Sequence, residues 1–214
     1  KRQLLRDKLS KNSILYSKFI SLENNARHLL EYSQGGSHLQ YTPHGLSHVT
    51  IVEDNYDWLL SEDIEKFSYT EIFILLSATY FHDAMMIPKY LGDEEKARAS
   101  HAERANDFIT KHYVELGLQL NEAVAIGHVI KGHSVDALDE LQGSLVLGSD
   151  KIDIHKLVAC LSISDICHAD ESRAPWIVKA HLEIDEESEY HWSRHLQICL
   201  LYTSDAADDL IGVD

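Results

Sequence analysis

The stretch Leu75-Leu76-Ser77-Ala78-Thr79-Tyr80-Phe81-His82-Asp83 constrains this chain more than any other. It is an apolar run that ends in an adjacent imidazole and carboxylate, and buried segments do not normally end this way. Successive helical residues point about 100° apart, so His82 and Asp83 converge on one point only where a helix frays or ends. Imidazole beside carboxylate suits a divalent cation that takes mixed nitrogen and oxygen ligands. Two ligands do not make a site, so other segments must supply the rest.

Two segments offer them. His48, in Gly45-Leu46-Ser47-His48-Val49, stands at the start of a predicted helix. Asp165, in Cys160-Leu161-Ser162-Ile163-Ser164-Asp165-Ile166, sits inside an otherwise apolar helix, where a carboxylate is costly unless paired or bound to metal. Three helices can therefore aim His48, His82, Asp83 and Asp165 at one ion.

The bulk sequence permits such a domain. Its 214 residues are enough for one sizeable core, and sparse glycine (10) and proline (3) favour an all-α fold over sheet and turn. Lys and Arg number 19 against 35 Asp and Glu, a net charge of -16, which disfavours nucleic-acid polymers and anionic membranes as partners. A small phosphorylated substrate is still allowed, because bound metal reverses the local charge. Histidine, at 14 residues, is the compositional outlier. The three cysteines (Cys160, Cys167, Cys199) form neither a CxxC pair nor a disulfide framework, so a reducing cytoplasm is the default location. No signal peptide and no apolar run of membrane length is visible.

Hydrophobic spacing predicts one or two amphipathic helices up to about Tyr32, then a loop through Gly35-Gly36 to Gly45. Ser47 is the expected cap of a helix from His48 to Leu60, and Ser68-Tyr69-Thr70-Glu71 fits a capping box opening the helix that ends at His82-Asp83. One long helix is expected from Asp93 or Glu94 to Gly117, another from Asn121 to about His133, and a third from Ile154 to His168 capped by Asp153. Ser134 to Lys151 is mixed, Pro175 closes the third helix region, Ala180 to Ile184 reads as short strand or loop, and Ser188 to Ile198 reads as helix. The expected organisation is one domain over 1–198, with 1–40 as an N-terminal helical extension.

The order His48, His82-Asp83, Asp165 resembles the HD-domain superfamily of metal-dependent phosphohydrolases, all-helical proteins whose ligands come from separate helices around one cleft. Further motifs resemble one bacterial branch: Tyr41-Thr42-Pro43-His44-Gly45-Leu46-Ser47-His48, His101-Ala102-Glu103-Arg104, Gly132-His133, Ser172-Arg173-Ala174-Pro175 and His191-Trp192-Ser193-Arg194-His195. Members of that branch are associated with bacterial conflict or stress systems, some fused to a heat-shock-type ATPase; this chain shows no such module. A homo-oligomer or an associated ATPase are the partner classes the resemblance leaves open. Two positions depart from the pattern: Met85 where many relatives have glycine, and His168 where relatives often carry Asp.

The resemblance implies a cofactor of one or two divalent ions (Mn, Fe, Co, Ni or Zn, with Mg less suited), held by His48, His82, Asp83 and Asp165, with His101 and His133 suggesting a second metal. Asp83, His101, His133 and Lys131 are the expected catalytic groups. His44, Arg104, Lys131 and Arg173 are the expected phosphate contacts, Lys131 first among them because it lies beside Gly132-His133. The implied activity is hydrolysis of a nucleotide or nucleotide-like phosphoester by metal-activated water. A regulatory module that keeps the metal but only binds is the alternative, and a plain helical interaction domain the third reading.

Each residue also has a plainer account. His82 can be a helix-terminal histidine favoured by the dipole, Asp165 a residue satisfied by Ser162 or Arg173, and Lys131 and Arg104 salt-bridge partners. His128, five residues before His133, is off that helix face and reads as structural. His28, His38, His112, His155, His181, His191 and His195 are expected to be solvent-exposed, Cys160 and Cys167 to pack in the core, and Asp185-Glu186-Glu187 to be a solvated face. The segment Cys199 to Asp209, with Gly212-Val213-Asp214, resembles a translated sequencing-library adapter, so 199–214 is expected to be foreign and the natural gene to continue past about Ile198.

Overall fold

A computed structural model describes residues 3–34, 44–87, 94–134, 141–169, 171–182, 184 and 186–197. The expected loop around Gly35-Gly36, His38, Asp185, the side chains of Glu186, Glu187 and His191, and the chain from residue 198 onward lie outside the described residues. Among the described residues the structure is all-α but for one small hairpin. In chain order the helices are α1 (Leu4–Leu9), α2 (Ser13–Gln34), α3 (Leu46–Leu60), α4 (Tyr69–Phe81), α5 (Glu94–Ala99), α6 (His101–Lys111), α7 (Leu120–Gly132), α8 (Ile154–Ile166), α9 (Trp176–Lys179) and α10 (Glu186–Gln197). Short 3-10 turns follow α3 (Ser61–Lys66) and precede α9 (Glu171–Arg173).

Helix α4 is the axis. Its N-terminus carries the expected capping box: Ser68 Oγ accepts the Glu71 N–H at 3.1 Å, and Glu71 Oε2 accepts the Ser68 N–H at 3.0 Å. Every side chain from Glu71 to Phe81 is buried, as befits a helix apolar all round, and α2, α3, α7 and α8 pack against it. The two N-terminal helices are part of this core. Leu5 and Leu9 of α1 and Phe19, Leu22, Ala26 and Leu30 of α2 are buried in the same cluster as Ile72, Leu75 and Leu76.

Several helix boundaries differ from the sequence expectation. Helix α3 starts at Leu46 with Gly45 at the cap position, and Ser47 is an exposed residue of its first turn. Gln119, not Asn121, caps α7, because Glu122 Oε2 turns back to accept the Gln119 N–H at 2.8 Å. The single helix expected through His101 is broken at Ser100, whose backbone (φ -114, ψ 12) leaves the helical region while its hydroxyl bonds back to Lys96 O at 2.8 Å. Within 134–151, strand β1 (Ser144–Leu147) pairs antiparallel with β2 (Asp150–Asp153), Leu145 opposite Ile152, around Gly148 at φ +61. Asp153 caps α8 as expected, accepting the Lys156 N–H at 3.0 Å. Pro175 opens α9 instead of only closing α8, and residues 180–182 form a turn. Among the described residues, no helix is long and apolar enough to cross a membrane.

Candidate metal centre

The end of α4 performs the convergence its sequence requires. The helix stops at Phe81, His82 is its C-cap, and the following turn brings Asp83 Oδ2 to 3.1 Å from His82 Nε2. From the first turn of α3, His48 Nε2 comes within 3.4 Å of His82 Nε2 and 3.5 Å of Asp83 Oδ2. From the last turn of α8, Asp165 Oδ1 lies 3.1 Å from His48 Nε2. Ligand atoms about 2.1 Å from one ion, in octahedral or tetrahedral arrangement, stand about 3.0–3.4 Å apart. The four expected ligands therefore have the mutual spacing of a coordination shell.

A second group adjoins the first through one side chain. Asp83 Oδ1 faces away from Oδ2 and lies 3.3 Å from His101 Nε2, which is 3.2 Å from His133 Nε2. His101 owes its place to the break at Ser100 that makes it the first residue of α6. His133 follows Gly132, where a Cβ would lie 2.6 Å from both Leu141 Cδ1 and Val158 Cγ2; only glycine lets α7 end this close to α8. Asp83 thus offers one oxygen to each group, with His48, His82 and Asp165 on one side and His101 and His133 on the other.

The ring orientations favour metal over chance proximity. Nδ1 of His82 lies 2.7 Å from Thr79 O, Nδ1 of His101 lies 2.6 Å from Arg98 O, and Nδ1 of His133 lies 2.5 Å from Ile130 O. A carbonyl can only accept, so each Nδ1 carries a proton, and each ring in its neutral form turns a bare Nε2 toward the centre. Lone pairs facing one another at 3.2–3.4 Å repel unless a proton or a cation lies between them. Nitrogen and carboxylate donors of this kind fit Mn, Fe, Co, Ni or Zn.

Protons reveal the same tension. Burial by itself depresses His82, but Asp83 and then Asp165 overcome it and push the ring up to about 9. Burial, reinforced by His82, pushes His133 down to about 4. Burial likewise holds His44 down to about 4 although Asp83 opposes it. Burial would raise Asp83 and Asp165; the imidazoles, His82 foremost for Asp83 and His48 for Asp165, drive both below the usual carboxylate range instead. Against an unfolded imidazole near 6.5, the stability His82 adds is full below 6.5 and lost as pH rises through about 9. His44 and His133 act oppositely, and stability falls as pH drops from 6.5 toward 4. Metal-free protein is expected to melt highest near pH 6.5, with an alkaline loss on the order of 3 kcal/mol. Thermal melts at pH 5, 6.5 and 9, with EDTA or with Mn²⁺, check this. Mn²⁺ is expected to abolish the alkaline decline, because ligation needs His82 without that proton.

The remaining candidates divide. His44, expected as a substrate contact, lies within the cluster: its Nδ1 is 2.8 Å from Asp83 Oδ2 and groups with His48 and Asp83 as a further metal donor. Arg173 spans the rim, with Nη1 3.4 Å from Asp165 Oδ1 and Nη2 3.2 Å from His44 Nδ1. Arg104 donates to Ile87 O at 2.8 Å, pinning the chain after the His-Asp turn, and Lys131 pairs with Glu103 at 3.1 Å across α6 and α7. His128 is partly buried with Nδ1 unpartnered, outside both groups. His28, His155 and His181 are exposed as expected, and His112 is partly so. His195 is a correction: it is only 4% exposed, because its Nδ1 bonds to Ala169 O at 3.0 Å and holds α10 to the end of the α8 segment. Cys160 is buried, while Cys167, past the end of α8, is only partly so. Sequence reasoning missed His168, noted only as a departure, which is buried against His48 with the two Nδ1 atoms 2.7 Å apart.

No curated protein and no solved structure matches the chain. The model of one family, HD-CE, matches residues 38–210, a span that holds every candidate site residue from His44 to Arg173 and leaves α1 and α2 before it. A helical bundle whose separate elements bring His48, His82-Asp83 and Asp165 to one point is the HD-type arrangement, and with that match the chain belongs to the HD-CE family.

Proposed function

We propose that this protein is a metal-dependent phosphohydrolase that cleaves a small nucleotide-like phosphoester or anhydride with a water nucleophile. One observation carries the reading: the two oxygens of Asp83 serve two adjacent groups of imidazole and carboxylate donors. His48, His82, Asp83 and Asp165 hold one divalent ion, His101, His133 and Asp83 a second. Such ions supply an acidified water and positive charge for a phosphoryl group.

The protein's own groups supply the rest. Arg173 holds its guanidinium beside the donors, with Nη1 against Asp165 Oδ1 and Nη2 against His44 Nδ1, a fixed positive fork suited to phosphate oxygens. Both it and Lys131 are already ion-paired, Arg173 with Asp165 and Lys131 with Glu103, but Arg173 alone also touches His44 within the donor cluster. His133, held near 4, is neutral at pH 7; it serves as a ligand or proton acceptor, not as a proton donor. His44 steadies the Asp83 carboxylate from the side opposite His101. Arg104 acts at a distance by holding Ile87 and the turn that aims Asp83. A place in a bacterial conflict or stress system, beside an ATPase partner or in a homo-oligomer, belongs to the same proposal on motif resemblance alone.

The test is turnover on a panel of nucleoside mono-, di- and triphosphates, cyclic nucleotides and phosphorylated alarmones, with each divalent metal in turn. Metal-dependent phosphate release from one class is the expected result. Bound metal with no turnover on any class would make this a binding module, and no bound metal would leave a helical interaction domain.

A further inference from the structure

We propose that His168 is a positioning residue that fixes the metal-binding tautomer of His48. The inference rests on the metal reading above and adds a residue to it. His48 Nδ1 and His168 Nδ1 are 2.7 Å apart, and the two rings are inclined by only 15° with centres 5.0 Å apart. One ring radius at each end of the 2.7 Å contact spans the distance between centres, so the rings meet edge to edge along the N–N line and not face to face. Two ring nitrogens this close share a proton: one donates and the other accepts.

The far side of His48 decides which. For Nε2 to ligate beside Asp165 Oδ1, 3.1 Å away, it must be bare, and the neutral ring then carries its proton on Nδ1. His168 must accept at Nδ1 and carry its own proton on Nε2, which lies 3.1 Å from Ser172 Oγ. The other three ligand imidazoles donate to backbone carbonyls of their own segments; His48 alone among the four leans on a side chain. His48 is 0% and His168 2% exposed, so water does not readily replace the acceptor.

The geometry separates this role from mere packing. His168→Asn places an amide oxygen where Nδ1 stands, keeping the acceptor in a smaller side chain. His168→Gln carries its amide out to the Nε2 position, filling more volume and keeping the Ser172 contact but losing the acceptor. The measurement is Co²⁺ and Mn²⁺ dissociation constants of the full chain by chelator competition, alongside melting of the metal-free forms to confirm folding. Gln and His168→Ala are expected to bind 10–100-fold more weakly than wild type, and Asn within a few-fold of it. Gln binding as tightly as Asn or better, or all variants equal to wild type, would overturn the proposal while leaving the metal site standing. A wild type that binds neither ion would overturn the metal reading, and this role with it.

Discussion

Asp83→Ala protein purified without chelator is expected to carry no metal where wild type carries one or two ions per chain. Asp83 is 3% exposed and faces four imidazole nitrogens on two sides: His44, His48 and His82 through Oδ2, and His101 through Oδ1. Alanine removes an oxygen donor from each group at once. It also removes a buried negative charge that would balance an ion among the neutral imidazoles. Loss of affinity should exceed the 10–100-fold typical of an outer partner, and hydrolysis should fall with it. Elemental analysis of both proteins decides the matter, with His133→Ala beside them as a graded control that should lose only the second ion. Unchanged metal content in Asp83→Ala would overturn the site.

Arg6→Ala is expected to destabilise the fold by about 3–5 kcal/mol, as when one partner is removed from a buried ionic network. Arg6 donates through Nη1 to Glu23 at 2.7 Å, through Nε and Nη2 to Glu53 at 2.8 Å each, and through Nη2 to the Tyr80 hydroxyl at 3.0 Å. Tyr80 donates in turn to Glu53 at 2.8 Å. Glu23 and Glu53 are 5% and 2% exposed, so alanine leaves two carboxylates buried without their shared cation. Burial would raise Glu23, and it is Arg6, then Arg27, that hold it below its usual range. Urea unfolding of Arg6→Ala against wild type reads the loss, and a change under 1 kcal/mol would rule out the network as described. The contrast is Lys66→Ala: its pair with Asp63 is 75% and 62% exposed, and its removal should stay within about 1 kcal/mol. The network joins α1 and α2 to α3 and α4, the two helices that carry His48 and His82, so the N-terminal segment supports the site from behind.

What could be read from residue order was the part governed by local chemistry. The Ser68–Glu71 box, the Asp153 cap and the apolar run of α4 are short-range patterns, and all three occur as expected. The ending of α4 at a His-Asp pair was equally legible, because only a helix end lets neighbours converge. The break at Ser100 was not, since serine is tolerated inside helices and neither glycine nor proline marks the spot. The hairpin at 144–153 was obscured because four-residue strands leave almost no alternation to detect. His44 joined the donors, and His195 went inside, through contacts with residues 39 and 26 positions away that no local window contains. His168 carried a visible signal, standing where the pattern this sequence resembles often has Asp, yet its partner His48 is 120 residues distant.

The carbonyls behind His82, His101 and His133 have an evolutionary consequence. Each acceptor is main chain three residues upstream, so no replacement of a neighbouring side chain can delete it. Those three rings keep their aim under mutational drift as long as the helix ends persist. His48 enjoys no such protection, and the position of its partner is where a lineage can retune the ion without touching a ligand.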